Sequence, residues 1–392
     1  YYSGMKEKIS ALHSKYIIDG VSRRLTPAEM LDDCLARREG NQTCGEGGFE
    51  PVVDESTDPT PSLKVFGTKD IQEYLSKVVS LIGEPRPFPA AYPEPYTKGQ
   101  IAKALLDAIW LKGHFKLNDL TIAAKWRWNR RPLGNMAAFY ASAEATADYV
   151  DGLGICLSGY SFTESPRLCQ ASFKVGAAEK DEDPEDDDEN IFIPGDAPFG
   201  SEHPVIGRRR AVPDKLQDES GSWIIYVPFD TCGFRLGNSL LCDALGQNGD
   251  KYPEVGDADY FIDCHEVVRE FVEDRVLLSA ATVCDGGLLT ALKLMCSGNI
   301  GADIDISGIM NAYGETKSVR VLFSEVPGAI IQIKDSDYDY IDAEILLQDI
   351  AYYPIGHTVT GSGEVNVKAG GSNGISSILQ SLLNSQASEG ED

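Results

Sequence analysis

Of 392 residues only five are histidine, and His114 and His357 have neither a second histidine nor a carboxylate four residues on. A helical histidine metal site is therefore not expected at either. No CxxC occurs among the nine cysteines, at 34, 44, 156, 169, 232, 242, 264, 284 and 296. Their number is odd, and their spacing suits neither a zinc site nor a disulfide framework. Several lie among apolar neighbours, as Cys264 and Cys296 do, where a free thiol behaves as a small hydrophobe. This usage reads as a reducing compartment, the cytoplasm or an organelle matrix. No apolar run reaches membrane-span length and no secretory signal is visible. The chain starts YYSGMKEK without an initiator methionine, which reads as a fragment or a processed product.

Basic charge is scarce too. The formal net charge is −26, and only WRWNRR (126–131) and Arg208–Arg210 cluster positive residues. An acidic body of this kind argues against non-specific binding to nucleic acid or to an anionic membrane. Nine acids fall in EKDEDPEDDDE (179–189), which reads as a solvated loop or a docking site for a basic partner. Hydrophobic residues at 42% against 24% charged still allow a sizeable core.

Along the chain, KEKISALHSKYI and TPAEMLDDCLARRE read as helices of a loose leader, the second with a Thr26/Glu29 capping box. Residues 38–62 read as loop. The stretches 69–82, 98–113, 135–154, 237–249 and 257–276 carry helical apolar stripes, while 120–128, 222–229, 277–283 and 351–359 read as strands. VRVLFSEVPGAIIQIKD offers strand and turn, and DSDYDYIDAE (335–344) a solvated edge without the spacing of a calcium loop. Trp126 and Trp128 share one strand face and point to a core or domain interface. In Cys264-His265-Glu266 successive helical side chains diverge by about 100° and cannot meet. The pattern is a core cysteine beside a solvated histidine and glutamate. Beyond Thr360, GSGEVNVKAGGSNG has a linker's composition. An amphipathic tail helix (375–384) follows, able to dock on its own body or on a partner. Intermingled helices and strands predict an α/β (α+β) fold.

One stretch raises a chemical question. In CDGGLLTALKLM, Asp285, Gly286 and Gly287 run directly into a helical pattern. Such a turn can present amides to a phosphate, or it can simply feed a buried helix. Ser158-Gly159-Tyr160-Ser161 poses the same question, but lacks the lysine of a P-loop.

The pieces KGQIAKALLDAI, LTIAAKWRW, DYVDGLGICLSG, FDTCGFRLGNSLLCDALG, LLSAATVCDGGLLTALKLM and LFSEVPGAIIQI, in that order, resemble the second aminoimidazole-ribonucleotide (AIR)-synthetase-like half of phosphoribosylformylglycinamidine synthase. The resemblance covers roughly 95–360. It implies mixed sheets packed with helices in an N-terminal domain (61–215, with the acidic insertion 179–189) and a C-terminal domain (220–360). The leader (1–60) and the glycine-rich linker with its tail (361–392) flank them. It also implies purine biosynthesis, an ATP- and glutamine-dependent ligase reaction, ATP or ADP with Mg²⁺ as cofactor, and packing against a catalytic first half.

Carried over residue by residue, the family's ligands are mostly gone. Where its helix reads GEALTN, this chain has Lys103 and Asp107 in place of the glutamate and asparagine. The asparagine of LSANW is Lys125, and GED becomes Gly134-Asn135-Met136. GKDS keeps only Ser161, and HD.SDGGL becomes Ala281 to Leu288 with Asp285, Gly286 and Gly287 retained. An ammonium group cannot ligate magnesium. The resemblance therefore implies a vestigial nucleotide site at Asp107, Ser161, Asp285, Gly286 and Gly287, with no catalytic or metal residue, and a chain that is inactive alone. In this reading Asp285 caps the helix and the glycines permit close packing. Two roles stay open: the scaffold half of the synthase, or a pseudoenzyme serving as an assembly subunit. Protein partners would then be met through 179–189 and 375–384.

Overall fold

Ile18-Asp19-Gly20-Val21 sets the first turn. Asp19 and Gly20 both adopt positive φ, 53° and 75°, the combination a two-residue type I′ hairpin requires. It joins β1 (Tyr16–Ile18) to β2 (Val21–Ser22), and β4 (Val52–Asp54) pairs with β1 in parallel on the other side. The computed structural model describes residues 10–36, 42–43, 52–57, 70–177, 192–193, 205–206, 209–247 and 251–368. The acidic segment 179–189 and the tail helix 375–384 lie outside the described residues, as do Arg208 and Cys44.

The first of the two expected leader helices is not found among its described residues: from Ser10 on, Ala11–His13 forms a 3₁₀ turn before Tyr16 enters β1. Burial decides this: Tyr16 is fully enclosed and its ring lies 5.1 Å from Tyr140. α1 (Pro27–Asp32) carries the predicted capping box, with Thr26 and Glu29 bonded reciprocally. Leu12 and Leu31 are buried as well, so the leader packs into the main core.

Next come β3 (Gln42–Thr43), α2 (Ile71–Leu81), α3 (Pro93–Ile109), β5 (Leu120–Trp128), α4 (Asn135–Gly152), β6 (Cys156–Glu164), β7 (Gln170–Ala177), β8 (Phe192–Ile193) and β9 (Val205–Ile206). Their strands form a six-stranded mixed sheet in the order β3-β6-β5-β7-β9-β8. β10 (Trp223–Pro228), α5 (Leu240–Leu245), α6 (Ala258–Glu273), β11 (Leu277–Val283), α7 (Gly287–Met295), β12 (Ile300–Asp305), α8 (Ser307–Ala312), α9 (Ser318–Phe323), β13 (Gly328–Ile333), α10 (Tyr338–Leu347), β14 (Tyr353–Thr360) and β15 (Val365–Lys368) follow. Their sheet has the order β11-β13-β10-β14-β12-β15.

Strand alternation builds two cores from one sheet. Ile225, Val227 and Ile331 face the first core with α3, α4 and α6, whereas Ile224, Tyr226 and Ile330 face the second with α2, α5, α7 and α9. Trp126 and Trp128 are fully buried in the first, as their shared strand face predicted. α3 packs on α4 and α6 and touches a strand of each six-stranded sheet, β7 and β11. The side chains on its β11 side define the site described below.

Four local expectations need correction. VRVLF is helical in α9, despite its two β-branched valines, because Val319, Val321, Leu322 and Phe323 all bury against neighbouring helices. DSDYDYIDAE is a 3₁₀ turn leading into α10, which buries Ile341 and Ile345. The glycine-rich stretch after Thr360 contains β15, paired in parallel with β12. There a side chain on Gly301 or Gly363 would collide with neighbouring backbone, so these glycines serve close approach rather than looseness. Finally, His265 is buried, not solvated. α6 packs against both α3 and the 3₁₀ turn Leu117–Asp119 that precedes β5, so the face carrying His265 and Arg269 is covered too.

Candidate functional site

Lys103 and Asp107 stand one helical turn apart on α3, projecting toward the end of β11 and the turn into α7. Lys103 Nζ forms an ion pair with Asp285 Oδ2, across 182 residues of sequence. Both side chains are about one-third exposed, 31% and 33%. Burial opposes the Lys103 ammonium, but Asp285, Cys284 and Asp107 outweigh it and hold the pKa above its ordinary value.

Asp107 is held separately. Its Oδ1 accepts the Thr282 hydroxyl at 2.6 Å, and that hydroxyl accepts Trp110 Nε1–H at 2.9 Å. Desolvation by surrounding protein raises the Asp107 pKa, opposed by the Thr282 hydrogen bond and by Lys103; the carboxyl still reaches water.

The α7 N-terminus is served by a residue distant in sequence. Glu325, between α9 and β13 and only 3% exposed, accepts Gly286 N–H at 3.0 Å and Leu240 N–H at 2.7 Å on one oxygen. Its other oxygen pairs with Arg86 Nη1 at 3.1 Å. Arg86 continues to Asp243 at 3.0 Å and to the Asn238 carbonyl at 2.5 Å. One carboxylate thus meets amides at the starts of both α5 and α7, where partial positive charge collects. Burial raises the Glu325 pKa, and Arg86 works against it.

Asp285 therefore does not cap α7, as the sequence suggested; it faces Lys103 while Glu325 bonds the turn. Gly286 and Gly287 do act in close packing. Both have φ near the left-handed region, +77° and +76°. A Cβ on Gly287 would stand 2.6 Å from Phe323 Cα, and one on Gly286 would stand 2.7 Å from Val78 Cγ1. Cys284 beside them is buried.

Asp107, Asp285, Gly286 and Gly287 thus gather around Lys103, Thr282 and Glu325. Ser161 does not join them. It sits on β6 in the other six-stranded sheet, in register with Lys125 of β5. Arg86 and Glu325 were not singled out as site residues. Glu325 had one legible signal: a lone acid inside the apolar run VLFSEVPGAII, which must find partners if buried. Arg86 had none. Among the described residues no group of three or more His, Cys, Asp or Glu is placed to hold a metal ion.

A second helix start is filled in the same way. Asp54, on β4 of the leader, accepts Gly134 N–H and Met136 N–H at 2.8 Å each, and Ala137 N–H at 3.3 Å, at the N-terminus of α4.

No family model matches the chain. It is 25% identical over 282 residues to the probable chloroplastic/mitochondrial phosphoribosylformylglycinamidine synthase of Arabidopsis thaliana, covering 71% of this chain and 18% of that one. The human phosphoribosylformylglycinamidine synthase is 24% identical over 245 residues, covering 62% of this chain and 17% of the relative. The chain resembles phosphoribosylformylglycinamidine synthase. It spans less than a fifth of the length of these relatives.

In structure it is similar to Thermotoga maritima PurL complexed with FGAR, at a TM-score of 0.51 and 14% identity, over 73% of this chain and 42% of PurL. PurLQS from the same organism gives 0.50 and 15% over 71% of this chain and 40% of the other. The fold is therefore PurL-like: the AIR-synthetase-like arrangement of mixed sheets and helices. No helix among the described residues is long and apolar enough to cross a membrane.

Proposed function

We propose that this chain is a phosphoribosylformylglycinamidine-synthase-like protein of purine biosynthesis that acts as a scaffold, its nucleotide and magnesium ligands having been replaced by internal ion pairs. The observation that carries this reading is the Lys103–Asp285 pair. A hard divalent cation needs oxygen donors around it. Here the position facing the Asp285 carboxylate is held by an ammonium group, whose protons repel a metal. The phosphate side of such a site is filled as well, because Gly286 N–H already donates to Glu325. A phosphate approaching that turn would have to displace a buried carboxylate that is also bonded to Arg86 and Leu240. Magnesium–ATP and magnesium–ADP, which the family resemblance implies, do not fit this donor set. We assign no step of the ligase reaction to this chain.

The same reading divides the body into AIR-synthetase-like domains at 61–215 and 220–360, with partner contacts through 179–189 and 375–384. A second reading, an assembly subunit outside the synthase itself, is favoured by one observation. α10 exposes Leu346 and Leu347 side by side, at 61% and 75%, an apolar pair that a partner could cover. Native mass spectrometry of the protein purified from its source separates the cases. The scaffold reading expects partner chains and no nucleotide mass. A bound nucleotide on this chain would overturn it.

A further inference from the structure

α10 turns two apolar faces in different directions. Ile341 and Ile345 are buried in the core, whereas Leu346 and Leu347 stand in solvent. Tyr340, Ala343 and Leu347 are spaced i, i+3 and i+7, and Leu346 lies three residues beyond Ala343, so all four fall on one outward stripe. Ala343 is exposed, and so in part is the Tyr340 ring, which sits 6.1 Å from Phe271 of α6. An apolar stripe on the solvent side of a helix is unusual in a chain that already buries the opposite one.

The rim of this stripe carries one sign of charge. Residues 335–349 hold five aspartates and a glutamate, and no lysine or arginine. α6 brings more acids alongside. The Tyr340 hydroxyl donates to Asp274 at 2.6 Å, and that bond, then desolvation, then the charges of Asp274, Glu344 and Glu270 push its pKa up to about 12. Arg269 of α6 does not offset them: it is 6% exposed and shared among Glu266, Glu270 and Glu273. The rim selects the occupant. A second copy meeting the same face would set acid against acid, because an isologous contact repeats each surface on its partner. An anionic membrane is repelled for the same reason. An apolar stripe flanked by lysine or arginine fits.

We propose that the outer face of α10, with the α6 acids beside it, docks a basic amphipathic helix of a protein partner. The partner's apolar side chains lie on Leu346 and Leu347, and its lysines or arginines meet Asp339 and Glu344. This rests on the second reading above, in which a partner covers the exposed leucines, and gives that partner a chemistry.

The test titrates the full chain into a fluorescein-labelled helical peptide of about four turns, with leucines at i, i+3, i+4 and i+7 and lysines elsewhere. Salt of about 0.15 M screens exposed charges beyond about 8 Å. Anisotropy should show saturable binding, and Leu346→Ser with Leu347→Ser should weaken it by about tenfold or more, since two buried leucines are lost. Both leucines are exposed, so this variant should keep the wild-type melting temperature. A peptide with glutamate in place of lysine should bind only the Asp339→Lys, Glu344→Lys chain. Equal affinity in wild type and the serine variant would overturn the proposal, because net charge alone would then hold the peptide. The absence of saturable binding, binding of the glutamate peptide to wild type, or a wild-type dimer that the serine variant abolishes would overturn it as well. In any of these cases, partner chains seen by native mass spectrometry would leave the second reading intact, and their absence would remove both.

Discussion

Lys103 on α3 neutralises Asp285 at the turn into α7, so the acid that the family resemblance places in a cation site already has a resident cation. Replacing Lys103 with Met keeps the stem's packing and removes the charge. Because both partners are about one-third exposed (31% and 33%), the loss should be modest, about 1–2 kcal/mol, between surface and buried pairs. Urea denaturation of the two chains measures it. A change near zero would mean the pair is no more than a surface contact.

Asp54 should matter more than its place in the leader suggests. It is 7% exposed and accepts three amides at the start of α4. Asp54→Ala should lose about 1–2 kcal/mol, and Asp54→Asn less, since one acceptor oxygen remains. Thermal unfolding of both variants gives the order, and equal loss in the two would contradict it.

His265 makes stability depend on pH in a defined window. Burial, with Arg269 adding to it, lowers its folded-state pKa from 6.5 to about 3. Between those values the unfolded chain binds a proton that the fold refuses. The contribution is therefore present in full above pH 6.5 and lost as pH falls toward 3, at up to about 1.4 kcal/mol per pH unit. Urea melts of wild type and His265→Leu at pH 7, 6 and 5 should show a shallower acid loss in the variant. Parallel curves would refute the assignment.

Gly287 and Gly154 separate two costs of a side chain at positive φ. At Gly154, with φ +66° and open space around it, alanine meets only backbone strain, about 1–2 kcal/mol. At Gly287 the same methyl group also meets Phe323 backbone at 2.6 Å. Gly287→Ala should therefore lose clearly more than Gly154→Ala, to the point of failing to fold. Equal melting temperatures would contradict the packing role.

How much of this was legible in the sequence depends on the range of the interaction. LTIAAKWRW and the stripe from Phe261 to Phe271 declared a strand and a helix because their periodicity is local. The Asp19-Gly20 hairpin was equally local, its Asp-Gly signal standing just beyond the segment KEKISALHSKYI that reads as helix. Val365 to Lys368 were hidden by glycine-rich composition, since only the parallel partner β12 shows that those glycines admit backbone rather than flexibility. Substituted ligands such as Lys103 could be read by alignment to the family's motifs. That Lys103 reaches Asp285, and that Glu325 gathers the starts of two helices, depends on residues 182 and 85 positions apart. No window of sequence contains both ends of such a contact.

The central claim, that internal charges occupy the place of magnesium and nucleotide, is tested most directly by melting the full-length chain against Mg–ATP and Mg–ADP titrated into the millimolar range. A ligand at 100 times its Kd would add about 2.7 kcal/mol of stability. The account predicts a melting temperature that does not move with either nucleotide. A saturable rise with concentration, abolished by chelating the magnesium, would contradict it.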